Sequence, residues 1–191
     1  MGRPSVRQQL VDAALGVFQS HGFNGSSVQD LTDAAGVPKG SFYNHFKSKE
    51  DLALEALQLY MERPGGAALL RDEQLAPLQR LRQHFRANWA SLQARDYTAG
   101  CFLGALSAEI ADTHERSREV FLQVFQGWSR LIEQALREAQ QRGDLAPGND
   151  PAQLARFVLN AWQGTLVRMK VVKDDQPFED FEAVVFDQLL R

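Results

Sequence analysis

A single cysteine, Cys101, stands in 191 residues. No intramolecular disulfide can form, and no Cys/His cluster has the spacing of a metal site. The chain has no run of 18 apolar residues, no signal peptide and no internal repeat. Lysine is scarce: there are five, and three of them fall between positions 39 and 49. With a formal net charge of −3, the chain is poorly suited to coating nucleic acid without regard to sequence, because phosphate binding grows with the number of cations delivered. These absences lead to the expectation of a cytoplasmic protein that does not enter membranes and holds no metal or cofactor.

What is present is helical periodicity. Apolar residues make up 44% of the chain, enough to bury the cores of one small domain and one of ordinary size. The pattern never changes to the period of a strand. The most telling stretch runs from Val28 to Phe46. Ser27 with Asp30 three positions on has the form of a capping box, and Val28, Leu31, Ala34 and Ala35 make an apolar stripe behind it. Gly36 tolerates the positive φ that ends a helix, Val37 can turn inward, and Pro38 fits the first position of a new helix. In that second helix Phe42 and Phe46 lie four apart and share a buried face, which leaves Lys39, Ser41, Tyr43, Asn44 and His45 mostly on the outside. Two short helices around a glycine turn are the build of a helix-turn-helix DNA reader.

The chemistry of base reading assigns roles on that surface. Lys39 can donate to guanine O6 and N7, and the Ser41 hydroxyl can bond to either base type. Gly40 removes a side chain where the backbone would approach a base edge, although glycine costs about 1 kcal/mol against alanine inside a helix. Tyr43, His45 and Lys49 suit phosphate contacts, which set register without reading sequence. Residues 1–49 hold Arg3, Arg7, Lys39, Lys47 and Lys49 against Asp12, Asp30 and Asp33, a local +2 that leaves −5 for the remainder.

These residues resemble the DNA-binding domain of the tetracycline-repressor (TetR) family. The likeness extends upstream through Leu10, Ala13, Ala14, Val17 and Phe18, closed by His21-Gly22-Phe23, and downstream to Ser48 and Asp51, which repeat the capping pattern before a connecting helix that runs to about Glu62. The resemblance covers roughly residues 5–60 and implies Ser26 or Ser27, Lys39, Ser41, Tyr43, His45 and Lys49 as DNA contacts, with Arg3 and Arg7 on an N-terminal arm. It further implies an all-α protein of about nine helices, with a DNA-binding domain at 1–49 and a ligand-binding and dimerisation domain at 50–191. The implied function is that of a dimeric, noncatalytic regulator, most simply a repressor. It would bind pseudo-palindromic operator DNA and be released by a small molecule, an electrophile or an oxidant.

Beyond the break at Arg63-Pro-Gly-Gly66, helices are predicted over about 77–94, 101–110, 114–142, from Pro151 through Met169, and 177–190. The 114–142 and Pro151 helices are apolar around more than one narrow face, which suits burial against a partner chain as well as their own domain. Phe85, Asn88, Trp89, Tyr97, Phe102, Trp128 and Trp162 are candidates to line an effector pocket, although aromatics at helical spacing also fill ordinary cores. Gly100-Cys-Phe-Leu-Gly-Ala-Leu106 is similar to the stretch around the cysteine of a subgroup that includes the N-ethylmaleimide reductase repressor, which responds to electrophiles and oxidants. An amide stands in that pattern where this chain has Ala105. Cys101 is therefore a candidate sensor with Lys170 as a possible cationic partner, or else a small buried hydrophobe. Two other classes compete with the regulator. One is a helical adaptor with a repurposed reader, and the other an enzyme using Cys101 with His84 or His114 as base.

Overall fold

The computed structural model describes residues 5–62, 66–98 and 100–191. Among the described residues it holds ten α-helices and no strand. These are α1 (Val6–His21), α2 (Val28–Ala35), α3 (Lys39–Tyr43), α4 (Lys49–Glu62), α5 (Gly66–Leu70), α6 (Pro77–Gln93), α7 (Phe102–Ile110), α8 (Glu115–Arg142), α9 (Pro151–Val172) and α10 (Gln176–Val184). A π-helical turn, Val185–Leu189, ends the run expected at 177–190. The extra helix over the expected nine is α5, which begins at the last residue of the expected break; residues 63–65 lie outside the described set. None of the described helices is long and apolar enough to cross a membrane.

Chemistry local to each terminus explains most of the boundaries. Ser27 accepts the Asp30 N–H, while the Asp30 carboxylate accepts the Ser27 N–H at 2.7 Å, so two otherwise unpaired donors are satisfied reciprocally. Those bonds from Ser27 hold the Asp30 carboxyl below its ordinary pKa. Ser48 caps α4 by accepting the Asp51 N–H. Asp150 caps α9 by accepting the Ala152 N–H, with Pro151 in the first turn. Each such cap contributes about 1 kcal/mol.

The chain packs as two compact units, and the first does not end at residue 49. It joins α1–α4 to α7 and the opening of α8 as far as Leu122. Its core holds Leu10, Leu15, Phe18, Phe23, Leu31, Phe42, Phe46, Leu52, Leu57 and Phe102. Phe102 enters this core because its ring stacks on Phe18 with centroids 6.3 Å apart and meets Tyr60 edge-on. Burying each such aromatic contributes roughly 1.5–3 kcal/mol. The stripe expected on α2 is corrected at two places: Thr32 is buried and Ala34 is exposed. Thr32 can go inside because its hydroxyl bonds back to the carbonyls of Val28 and Gln29.

The second unit comprises α5, α6, the rest of α8, α9 and α10. Trp162 of α9 is its centre, with Phe85 at 5.2 Å, Phe181 at 5.3 Å and Phe178 at 6.2 Å between ring centroids. One face of α9 buries Leu154, Val158, Leu159, Trp162, Leu166 and Met169. The opposite face leaves Phe157, Val167 and Val171 exposed.

Candidate nucleic-acid interface

The reader is set by its buried side. Gly36 lies at φ +66 and gives its N–H to Asp33, while Val37 N–H returns to Thr32, so α2 stops and the chain re-emerges toward α3. Pro38 is the N-cap of α3 and not its first residue, and α3 closes at Tyr43, short of the expected Phe46. Turns carry the chain on, with Phe46 N–H still bonding to Phe42 O at 2.9 Å. Phe42 and Phe46 are buried with ring centroids 5.8 Å apart. Their burial orients the rest of the element: Lys39, Gly40, Tyr43, Asn44 and His45 are exposed, and Ser41 is half-buried.

Among the described residues, no hydrogen bond or ion pair engages the side chains of Lys39, Ser41, Tyr43 or His45. Tyr43 is 63% exposed, and its ring meets Phe42 edge-on. A Cβ added at Gly40 would meet nothing within 4 Å. The protein's own packing therefore does not require glycine there.

Three other expected contacts are engaged by the protein's own groups. Lys49 points inward: its ammonium donates to Phe23 O at 2.6 Å and Ser26 O at 2.7 Å, and lies 4.2 Å from the centre of the Phe23 ring. Burial lowers its pKa, and the charge of Glu109 opposes that shift. Ser26 is buried and spends its hydroxyl on Gly22 O and Phe23 O, leaving Ser27 as the exposed member of the pair. Arg7 bonds through both terminal nitrogens to Glu55, with its guanidinium 5.2 Å from the Phe46 ring centroid. Arg3 lies outside the described residues. Conversely, Lys47 in the turn after α3 is exposed and without an ion pair among the described residues, a candidate the spacing argument passed over.

The residues proposed for sensing are distributed over both units. Phe85 and Trp162 are core. Trp89 stacks flat on Phe178, with centroids 4.7 Å apart, and donates to Asp175 at 2.7 Å. Tyr97 also donates to Asp175, whose carboxylate raises the pKa of the phenol. Asn88 donates to His84 O, and Trp128 donates to His84 Nε2 at 3.2 Å. Lys170 is exposed near the end of α9. Cys101 and Phe102 belong instead to the unit that contains the reader. Cys101 is buried and acts as the N-cap of α7, its sulfur accepting Gly104 N–H at 3.4 Å. Of the two histidines, His84 Nε2 accepts from Trp128, while His114 packs edge-on against Phe23 with its Nδ1 against the Thr113 hydroxyl.

An exposed two-helix reader in one unit and an all-helical second unit define a helix-turn-helix regulator. The chain belongs to the TetR family of transcriptional regulators. The sequence model described as bacterial regulatory proteins, tetR family, matches residues 10–56, and that of the tetracyclin repressor-like C-terminal domain matches 77–185. The chain is 36% identical over 192 residues to the HTH-type transcriptional repressor DhaR of Mycobacterium sp. strain GP1, covering 100% of this chain and 95% of that protein. The fold is similar to that of a TetR regulatory protein from Rhodobacter sphaeroides, with TM-score 0.84, 32% identity and coverage of 93% and 95%. It is also similar to the reduced form of Escherichia coli NemR, with TM-score 0.83, 26% identity and 96% of each chain covered. Members of this family are transcriptional regulators and not enzymes, so the reading of Cys101 as a catalytic nucleophile is set aside.

Proposed function

We propose that the protein is a homodimeric repressor that holds a pseudo-palindromic operator through two copies of α3 and leaves it when a small molecule binds the second unit. The observation that carries the DNA-reading half is the division of α3 into a side pinned by Phe42 and Phe46 and an opposite side whose donors have no internal work. Lys39 and Ser41 read base edges. Gly40, which no internal contact requires, allows the backbone to come close. Tyr43, His45 and Lys47 bind phosphates and set register, whereas the Ser27 N–H and hydroxyl both donate to Asp30. With Lys49 bonded to Phe23 and Ser26 carbonyls and Arg7 paired at the surface with Glu55, few cations remain for phosphate, so affinity depends on shape and base contacts made twice. Two readers about a dimer axis would engage half-sites roughly 34 Å apart.

Dimerisation is supported by the exposed face of α9. Phe157, Gly164 and Val171 follow one another at intervals of seven residues, an apolar line on the side away from Trp162. The effector must prefer one conformation of the protein, since equal affinity for both would shift nothing. Asn88, Trp89, Tyr97 and Trp128 are where an entering ligand would exchange its own polar groups for the bonds to His84 and Asp175. Titrating the duplex upstream of the protein's own coding region at moderate salt should give a saturable complex that outcompetes scrambled DNA. Equal binding to both duplexes would sink the DNA-reading proposal and leave the adaptor reading.

A second reading, direct sensing of an electrophile or oxidant by Cys101, is favoured by the likeness to NemR. The burial of the sulfur and its bond to Gly104 weigh against it, because a reactive thiol needs access. Release of bound operator by mild oxidant should therefore be the same for wild type and Cys101→Ser. Selective resistance of the variant would reverse the order of the two readings.

A further inference from the structure

We infer that Glu109, near the end of α7 and outside the helix-turn-helix segment, is a positioning residue for the DNA reader. The inference rests on the DNA-reading function proposed above. The stretch from Gly22 to Ser26 decides where α2 begins, and α3 follows α2 after a three-residue turn, so any shift of this stretch moves both helices. Glu109 holds it at one residue by two bonds: its Oε2 accepts Asn24 N–H at 2.8 Å, and its backbone carbonyl accepts Asn24 Nδ2 at 3.3 Å. The carboxylate also lies close beside Gly22. Gly22 lies at φ +76, and a Cβ there would stand 2.6 Å from Glu109 Oε1.

The same stretch is held from α4. Lys49 bonds to the carbonyls of Phe23 and Ser26, and the Phe23 ring is enclosed by Phe18 at 5.7 Å, His114 at 5.4 Å and the Lys49 ammonium. The Lys49 ammonium is partly buried between these carbonyls, so its removal would leave them without that donor. Glu109 differs in kind. Its acceptor serves an N–H on the exposed residue Asn24, which water could satisfy if the carboxylate were removed. An exposed bond of this sort contributes little to stability. Its main consequence is geometric: it ties the entry of α2 to α7, 85 residues away in sequence, while its charge also favours the Lys49 ammonium.

The test uses the full-length dimer, its operator duplex and a scrambled duplex, with binding followed by fluorescence anisotropy. Glu109→Ala should melt within a few degrees of wild type, exchange the Asn24 amide faster, and bind operator about tenfold more weakly, while affinity for scrambled DNA stays unchanged. Glu109→Gln keeps an oxygen that can accept from Asn24 and should restore operator affinity to nearly the wild-type value. Wild-type operator affinity in Glu109→Ala would overturn the inference while leaving the DNA-reading function intact. Equal losses on both duplexes, or unfolding of both variants, would overturn it in favour of a purely structural role. Failure of the wild type itself to prefer operator would instead remove the function on which the inference stands.

Discussion

Gly164→Arg should yield a monomer in sedimentation velocity at concentrations where the wild type is a dimer, and should weaken operator binding about a hundredfold or more. The position separates assembly from folding. A Cβ at Gly164 meets no atom beyond its own stretch of helix within 4 Å, and the residue is exposed in the middle of α9, so an added side chain has open space to leave the helix. Replacing glycine inside a helix also raises helix propensity by nearly 1 kcal/mol. The protomer should therefore melt no earlier, apart from whatever stability dimerisation itself contributes. A partner helix seated on Phe157, Gly164 and Val171 would by contrast meet a long charged side chain with no counterion. The loss on DNA follows from geometry: a monomer engages one half-site and forfeits the effective concentration that makes the second contact intramolecular. A dimer that persists would place the interface elsewhere on the protein.

Lys39→Ala is expected to lower operator affinity about a hundredfold, since a lysine on a base edge discriminates by about 1–3 kcal/mol and the loss is incurred in both half-sites. Binding to scrambled DNA should hardly change. Tyr43→Phe is the natural companion because it removes only an exposed hydroxyl that has no internal partner. It should weaken both duplexes to a similar and smaller degree, as a phosphate contact does. A Lys39→Ala protein that weakens operator and scrambled DNA equally would move Lys39 from base reading to phosphate binding. Because Lys39 is exposed, neither outcome would be confused with loss of the fold.

Reading order along the chain was enough wherever the physics is local. Ser27 and Asp30, Ser48 and Asp51, and Asp150 with Pro151 cap helices through bonds spanning two or three residues, so the types and spacing of the side chains already contain the answer. The pairing of Phe42 with Phe46 is of the same kind. It determined which side of the reader faces out before any tertiary contact was considered.

What only the tertiary structure decided is which polar groups are already engaged. Lys39 and Lys49 are the same residue type in the same short segment, yet one is exposed and the other bonds to two carbonyls from the turn before α2, 23 and 26 residues back. Ser26 and Ser27 are adjacent, and packing buries one of them. The assignment of Cys101 and Phe102 to the reader's unit, and the hold of Glu109 on Asn24, likewise depend on α7 packing against helices that precede it by many residues. Sequence by itself determined most of the helices and the side of α3 proposed to read DNA, because caps and apolar spacing act within a turn or two. The commitment of each charge and hydroxyl required the fold, because a partner tens of residues away leaves no periodic trace in the chain.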